Sequence, residues 1–251
     1  MKKMTTTTKT LVKPQTWTER IFGLNNHTSQ QRKNKRDNKH DVPGLINDRP
    51  HVTIIAGKKG SGKSRLCCDL LLTTWRFCYK EIVFVSPTFR AQHDTLWSRL
   101  SPDGITVYET LSDSFVEDLL QRVSTRKDIP TLLILDDVGE EFRKVNARVV
   151  NLLVCNSRHY NLSIVCLHQR LTQSPTIVRA NADVVIAFAA CSYTEIECLW
   201  RMVATVPRKQ FQAMFASCTQ APHSFMVSIV DKGGRLRFYQ SDFKTPVSST
   251  I

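Results

Sequence analysis

Residues 51–75, HVTIIAGKKGSGKSRLCCDLLLTTW, run from an apolar segment through a glycine-rich turn into a second apolar pattern. HVTIIAG reads as a buried strand. Leu66, Leu70, Leu71 and Trp75 recur at helical spacing and predict a helix over 62–78. Between the two, Gly57, Gly62, Lys63 and Ser64 satisfy the pattern GxxxxGK[ST], in the strand–turn–helix context that the pattern needs. The chemistry of such a loop is specific. Glycines let the chain wrap so that the backbone N–H groups of Gly57, Lys58, Lys59, Gly60, Ser61, Gly62, Lys63 and Ser64 face an anion. The helix that starts near Gly62 aims its positive end at the same place. Lys63 then supplies a point charge for the β- and γ-phosphates of ATP, and the Ser64 hydroxyl is a ligand for Mg²⁺.

The stretch TLLILDDVGEE, residues 131–141, supplies the complementary half. Its apolar run places Asp136 at the carboxyl end of a buried strand, where open α/β sheets bind ligands, so Asp136 is the second candidate holder of Mg²⁺. Asp137 follows, at a position where hydrolytic P-loop enzymes commonly carry a glutamate that orients the attacking water. An aspartate is one methylene shorter, and Glu140 is an alternative for that role. In RHYNLSIVCLHQR, residues 158–170, a further buried strand ends with His168 and Gln169. The Gln169 amide projects from the strand end, where it can hydrogen-bond both a γ-phosphate and a water.

The rest of the chain fits around these strands. EIVFVSP (81–87), GITVYE (104–109), LSIVCLHQ (162–169) and DVVIAFAA (183–190) read as strands. AQHDTLWSRL (91–100), DSFVEDLLQRV (113–123) and residues 141–158 read as helices. Ile196, Leu199, Trp200 and Val203 make one helix face, and Phe211, Met214 and Phe215 make another after Pro207. HSFMVSIVD and RLRFYQSDF, joined by KGG, read as a hairpin that extends the sheet. Continuously apolar strands separated by helices predict an α/β fold of the P-loop NTPase type. Its sheet is mostly parallel and covered by helices on both faces, with the C-terminal β-hairpin added.

Composition narrows the setting. Apolar residues form 41% of the chain, and no run approaches the length of a membrane-spanning helix. None of the eight cysteines forms a CxxC pair, and most lie inside apolar runs, which argues against zinc and for a reducing, intracellular environment. Residues 1–40 hold ten Lys/Arg against Glu19 and Asp37, a net +8 of the chain's +13. Residues 1–48 therefore read as a basic leader with little to bury, followed by one domain over 49–251. The leader suits a polyanion such as nucleic acid, or simply a solvated tail; QRKNKR also fits a nuclear import signal.

GKKGSGKS, VFVSPTFRAQHDTLW, LLILDDV, RHYNLSIVCLHQ and PTIVRANADVVIAF, in that order, resemble the poxvirus-type viral genome-packaging ATPases of the FtsK–HerA class. The likeness runs over roughly residues 50–245. Its specific part is the strand-terminal Gln169, with Arg158 and His159 before that strand and Pro175, Arg179 and Asn181 after it. The resemblance implies a homo-oligomeric ring that hydrolyses ATP with Mg²⁺ and drives double-stranded DNA into a preformed capsid. It implies viral capsid proteins as partners and a place at the virus assembly site of the host cell or in the virion. Such rings need an arginine from a neighbouring subunit to stabilise charge on the transferring phosphoryl group. Arg158 and Arg179 are the candidates, with Arg90 a third. Two other readings stay open: a nucleotide-gated DNA- or capsid-binding adaptor that scarcely hydrolyses ATP, and a P-loop small-molecule kinase.

Overall fold

Val52–Ala56 (β1) is buried along its whole length, and it lies between two parallel partners rather than at an edge. On one side it pairs with Leu162–His168 (β5), with Ala56 opposite His168. On the other it pairs with Val184–Phe188 (β6), with Ala56 opposite Ala187. The computed structural model describes residues 49–75, 78–88, 105–190, 192–203, 205–231 and 233–247. The leader, Arg90 and the helix expected over 91–100 lie outside the described residues.

The remaining strands are Glu81–Val85 (β2), Ile105–Tyr108 (β3), Thr131–Asp136 (β4), Phe225–Val230 (β7) and Leu236–Tyr239 (β8). They complete an eight-stranded sheet in the order β3-β2-β4-β5-β1-β6-β7-β8. The first six positions are parallel; β7 then adds antiparallel to β6, and β8 antiparallel to β7. The expected hairpin does extend the sheet. Its turn is tied by Asp231, whose carboxylate accepts from the Gly233 and Arg235 N–H groups at 2.8 and 2.9 Å.

Strand side chains alternate between two apolar layers. Lys63–Leu72 (α1) packs on one face through Leu66, Cys67, Leu70 and Leu71, against Ile55, Leu132, Ile134 and Leu167. The other face holds Ile54, Leu133, Leu135 and Ile164. It is covered by Asp113–Thr125 (α2), Ala147–Asn156 (α3), Thr176–Ala180 (α4), Tyr193–Val203 (α5) and Arg208–Cys218 (α6). β1, β4, β5 and β6 are buried on both faces, which is why they read as unbroken apolar runs, whereas the edge strand β3 is partly exposed.

Two expected helices are shorter than their patterns. α1 stops at Leu72, because the Thr73 hydroxyl donates to the Asp69 carbonyl at 2.6 Å and the Trp75 N–H turns back to Leu70. The helix expected over 141–158 is broken into three pieces: a 3₁₀ turn at Glu141–Arg143, α3, and a second 3₁₀ turn at Ser157–Tyr160. Asn146 makes the break. Its side chain caps α3 by accepting from the Arg148 N–H at 2.9 Å, while its own N–H donates to Asp113 at 2.8 Å.

Candidate active site

The carboxyl ends of β1, β4 and β5 meet where the glycine-rich loop turns into α1. The loop is held by backbone bonds at both ends: Gly57 N–H donates to the His168 carbonyl, and Ser61 N–H donates to Lys58, both at 3.1 Å. Two of the loop glycines are constrained in different ways. At Gly57 an added Cβ would lie 2.7 Å from the Phe188 Cβ and 2.8 Å from the Ser61 Oγ. Gly62, the N-cap of α1, has φ 106°, a left-handed conformation that costs other residues energy. Gly57→Ala is therefore expected to cost about 1–3 kcal/mol in a denaturant titration and to weaken binding of an ATP analogue in the same preparation.

Lys63 sits in the first turn of α1 and folds its ammonium back over the loop, donating to the carbonyls of Gly57 (2.7 Å) and Lys58 (3.1 Å). Its charge also acts on β4. Asp136 is only 4% exposed, and its pKa is pushed up to about 6, first by burial and then by the neighbouring Asp137; Lys63 pulls it back down. The Cys67 thiol, one turn further along α1, is raised by burial and by the charge of Asp136. Asp136 continues the row of Leu132 and Ile134, which pack under α1, so it lies on the sheet face that carries Lys63 and Ser64. A hydroxyl and a carboxylate there form the hard oxygen donor set that Mg²⁺ prefers.

Asp137 leaves the strand with φ 57°, a left-handed value that aspartate tolerates better than most residues. Its N–H still donates to the Leu167 carbonyl, and its carboxylate accepts from the Gln169 amide at 2.9 Å. The two strand-end residues from β4 and β5 thus form one polar unit beside Asp136. Glu140 points elsewhere: it is exposed and paired with Arg143 at 3.2 Å. Lys58, Lys59 and Gly60 form the exposed lip of the loop.

The arginines part company. Arg158 lies before β5, at the amino end of the parallel strands, away from the loop. It is bound at 2.6 Å to Asp183, which also accepts the Val52 N–H. Arg179, in α4, donates to the Cys198 sulfur (2.8 Å) and to Thr176 (3.2 Å), and meets no carboxylate among the described residues.

Two residues escaped the sequence reading, and a third, His168, entered it only as a strand end. His168 ends β5 almost wholly buried, with neither ring nitrogen hydrogen-bonded among the described residues. Burial, then the Lys63 charge, lowers its pKa to about 4, so the ring is neutral. Its signal was present, as a polar residue closing an apolar strand. Glu195 in α5 accepts from Leu171 N–H (2.6 Å) and from the Thr172 hydroxyl (2.7 Å), gripping the turn just past Gln169. His223, before β7, donates from Nδ1 to the Ser61 carbonyl at 3.0 Å across 162 residues. No local pattern announces that contact.

Comparison with known proteins agrees with this architecture. The genome-packaging NTPase B204 of Sulfolobus turreted icosahedral virus 2, in complex with AMP, superposes with a TM-score of 0.57 at 19% identity. That match covers 76% of this chain and 97% of the other. B204 of Sulfolobus turreted icosahedral virus, described as a DNA-packaging ATPase, gives 0.57 at 17% identity, covering 76% of this chain and 98% of that one. Uncharacterized protein 015R of Frog virus 3 (isolate Goorha) is 25% identical over 174 residues, 66% of this chain and 53% of that protein's length. Uncharacterized protein 075L of Invertebrate iridescent virus 6 is 22% identical over 189 residues, 72% of this chain and 70% of the relative. The fold is that of the P-loop NTPases, as the strand order and the loop require. The family described as Poxvirus A32 protein matches residues 40–233, and the chain belongs to it.

Proposed function

We propose that the chain is the ATP-hydrolysing subunit of a ring that moves double-stranded DNA, packaging a viral genome into a preformed capsid. The observation that carries this reading is the convergence of Lys63 and Asp136 on one sheet face, with the Asp137–Gln169 pair beside them. Membership of the A32 family and the likeness to packaging NTPases support the cargo and the setting. Partners under this reading are DNA, capsid protein and further copies of the chain, at the site where virions assemble. No helix among the described residues is long and apolar enough to cross a membrane.

In this mechanism the loop amides and Lys63 bind the β- and γ-phosphates, and Ser64 and Asp136 hold Mg²⁺. When bound, the ion neutralises charge that develops on the phosphoryl oxygens. Asp137 orients the attacking water, with Gln169 fixing its carboxylate; Glu140, turned outward onto Arg143, is the weaker candidate. Gln169, bridging to the γ-phosphate side, reports nucleotide state to the turn that follows it. For the arginine that reaches a neighbour's site, Arg179 is favoured over Arg158, because the latter is committed to Asp183.

Two measurements test the proposal. ATP turnover should rise severalfold with long double-stranded DNA while the protein sediments as an oligomer; turnover indifferent to DNA would sink the motor reading. Arg179→Ala should lower turnover by about a thousandfold. Mixing it with Lys63→Ala subunits should recover part of the lost rate, since each then supplies what the other lacks. Failure of the mixture to exceed either parent would remove Arg179 from the trans role. Tight ATP binding with negligible single-turnover hydrolysis would favour the adaptor reading, for which the short Asp137, already bonded to Gln169, is the supporting feature.

A further inference from the structure

The contact between His223 and the phosphate loop has no part in the scheme above. His223 occupies the turn between α6 and β7, at φ 61°. A non-glycine residue held left-handed costs free energy and persists where surrounding structure fixes it. The fixing is visible on both sides. Ser224 N–H donates to the Ala221 carbonyl at 3.1 Å. The next residue, Phe225, exchanges two hydrogen bonds with the Ser241 hydroxyl, N–H to Oγ at 2.9 Å and Oγ to carbonyl at 3.1 Å. The Phe225 ring packs against Phe188 and Phe243, with centroids 5.0 and 5.4 Å away. Phe188 is the residue whose Cβ would meet a side chain at Gly57, at 2.7 Å. One wall, built by β6, β7 and the segment that follows β8, therefore touches the loop at Gly57 through Phe188 and near Gly62 through His223, whose Nδ1 lies 3.5 Å from where a Gly62 Cβ would be.

The direction of the hydrogen bond matters. The Ser61 carbonyl can only accept, so Nδ1 carries the proton. In a trans peptide the C=O of one residue and the N–H of the next point in opposite directions. Pinning the Ser61 carbonyl toward His223 turns the Gly62 N–H away from the β6–β7 wall. The neighbouring Ser61 N–H is already committed to the Lys58 carbonyl. Of the two amides flanking Ser61, the one at Gly62 is thus the one whose direction is set from outside the loop.

We propose that His223 is a positioning residue for triphosphate binding: a clamp from the C-terminal strand pair that orients the Ser61–Gly62 peptide so that its N–H meets phosphate. The inference rests on the reading of the loop as an ATP site. It adds that the parallel core alone does not complete this site.

Three substitutions in the full chain separate the clamp from general stability. His223→Ala removes the donor and keeps the backbone cost. His223→Gly removes the donor and relieves the cost, so its melting temperature should equal or exceed that of the parent. His223→Asn keeps an N–H donor on a residue that tolerates the left-handed backbone. The Kd of a non-hydrolysable ATP analogue and the KM for ATP should rise about tenfold in the Ala and Gly variants, the scale of one lost hydrogen bond. Turnover at saturating ATP should stay within about twofold, because the clamp acts on ground and transition states alike. The Asn variant should bind within about threefold of the parent. Parental affinity in the Gly variant, or an Asn variant as weak as Ala, would overturn the clamp. Absence of analogue binding in the parent protein would instead overturn the ATP-site reading.

Discussion

Asp136→Asn is expected to abolish ATP turnover and, in the metal- and nucleotide-free protein, to raise the melting temperature at pH 8. The two effects have one cause. Asp136 is buried beside a second carboxylate, and its pKa of about 6 stands well above the ordinary value of 3.8. A raised folded pKa means that the group's contribution to stability is complete below pH 3.8 and is lost as pH rises through about 6. At pH 8 the folded state carries a charge that burial opposes by about 3 kcal/mol, two pKa units at 1.36 kcal/mol each. An asparagine of the same shape removes the charge but still buries an amide, so about 1–2 kcal/mol should return. For a domain of this size that is roughly 3–6 °C. The gap between variant and parent should narrow from pH 8 toward pH 5, as the parent's carboxylate takes up its proton. His168, whose lowered pKa works in the opposite sense, losing stability as pH falls from 6.5 through about 4, is common to both proteins and drops out of the difference. Turnover should fall by on the order of a thousandfold, since a metal held by its carboxylate supplies several kcal/mol of charge stabilisation. Scanning calorimetry across pH, with chelator present, is the check. A variant that melts lower than its parent at pH 8 would mean that pairing with Lys63 outweighs burial.

Gln169→Ala should lower kcat by about a hundredfold, the lower end of what a positioned proton-handling group contributes, while ATP affinity stays within about threefold. The amide donates to Asp137, and among the described residues the loop's own hydrogen bonds are made without it. Its loss frees the carboxylate to rotate and leaves the phosphate cradle intact. Gln169→Glu should not rescue the rate, because it sets two carboxylates within hydrogen-bonding distance and one of them must then hold a proton. Equilibrium binding of a fluorescent ATP analogue, beside steady-state kinetics, distinguishes this from a folding defect. A parallel loss of affinity would place Gln169 in binding instead.

Much of the fold was legible because the relevant constraints are local. β1, β4, β5 and β6 are covered on both faces, so an uninterrupted apolar run of the right length marks each one. The glycine-rich loop was legible because its conformation admits few side chains, and Asp136 because an acid at the end of such a run has few structural reasons to be there. What stayed hidden depends on contacts that sequence spacing does not encode. The break before α3 comes from Asp113 bonding Asn146 from 33 residues away. Arg158 and Arg179 looked equivalent until Asp183, 25 residues further on, was seen to hold the first. Glu195 belongs to a helix whose pattern advertises only its apolar face.

The central place of β1 in the sheet bears on when the protein becomes able to bind nucleotide. Of the described strands β1 leaves the ribosome first, yet both its neighbours are made long after it. Contacts from its start reach Ser163 and Asp183 across 112 and 131 residues, and the loop that follows waits for His223 across 162. Pairings this distant in sequence form slowly, because the chain between them must be closed first. A nascent chain halted before β6 already carries the whole phosphate-loop sequence, but it has one flank of β1 bare and no wall behind Gly57. On the proposed reading, nucleotide binding is therefore gained late in synthesis, and translation stalled in that window leaves an unpaired apolar strand exposed to aggregation.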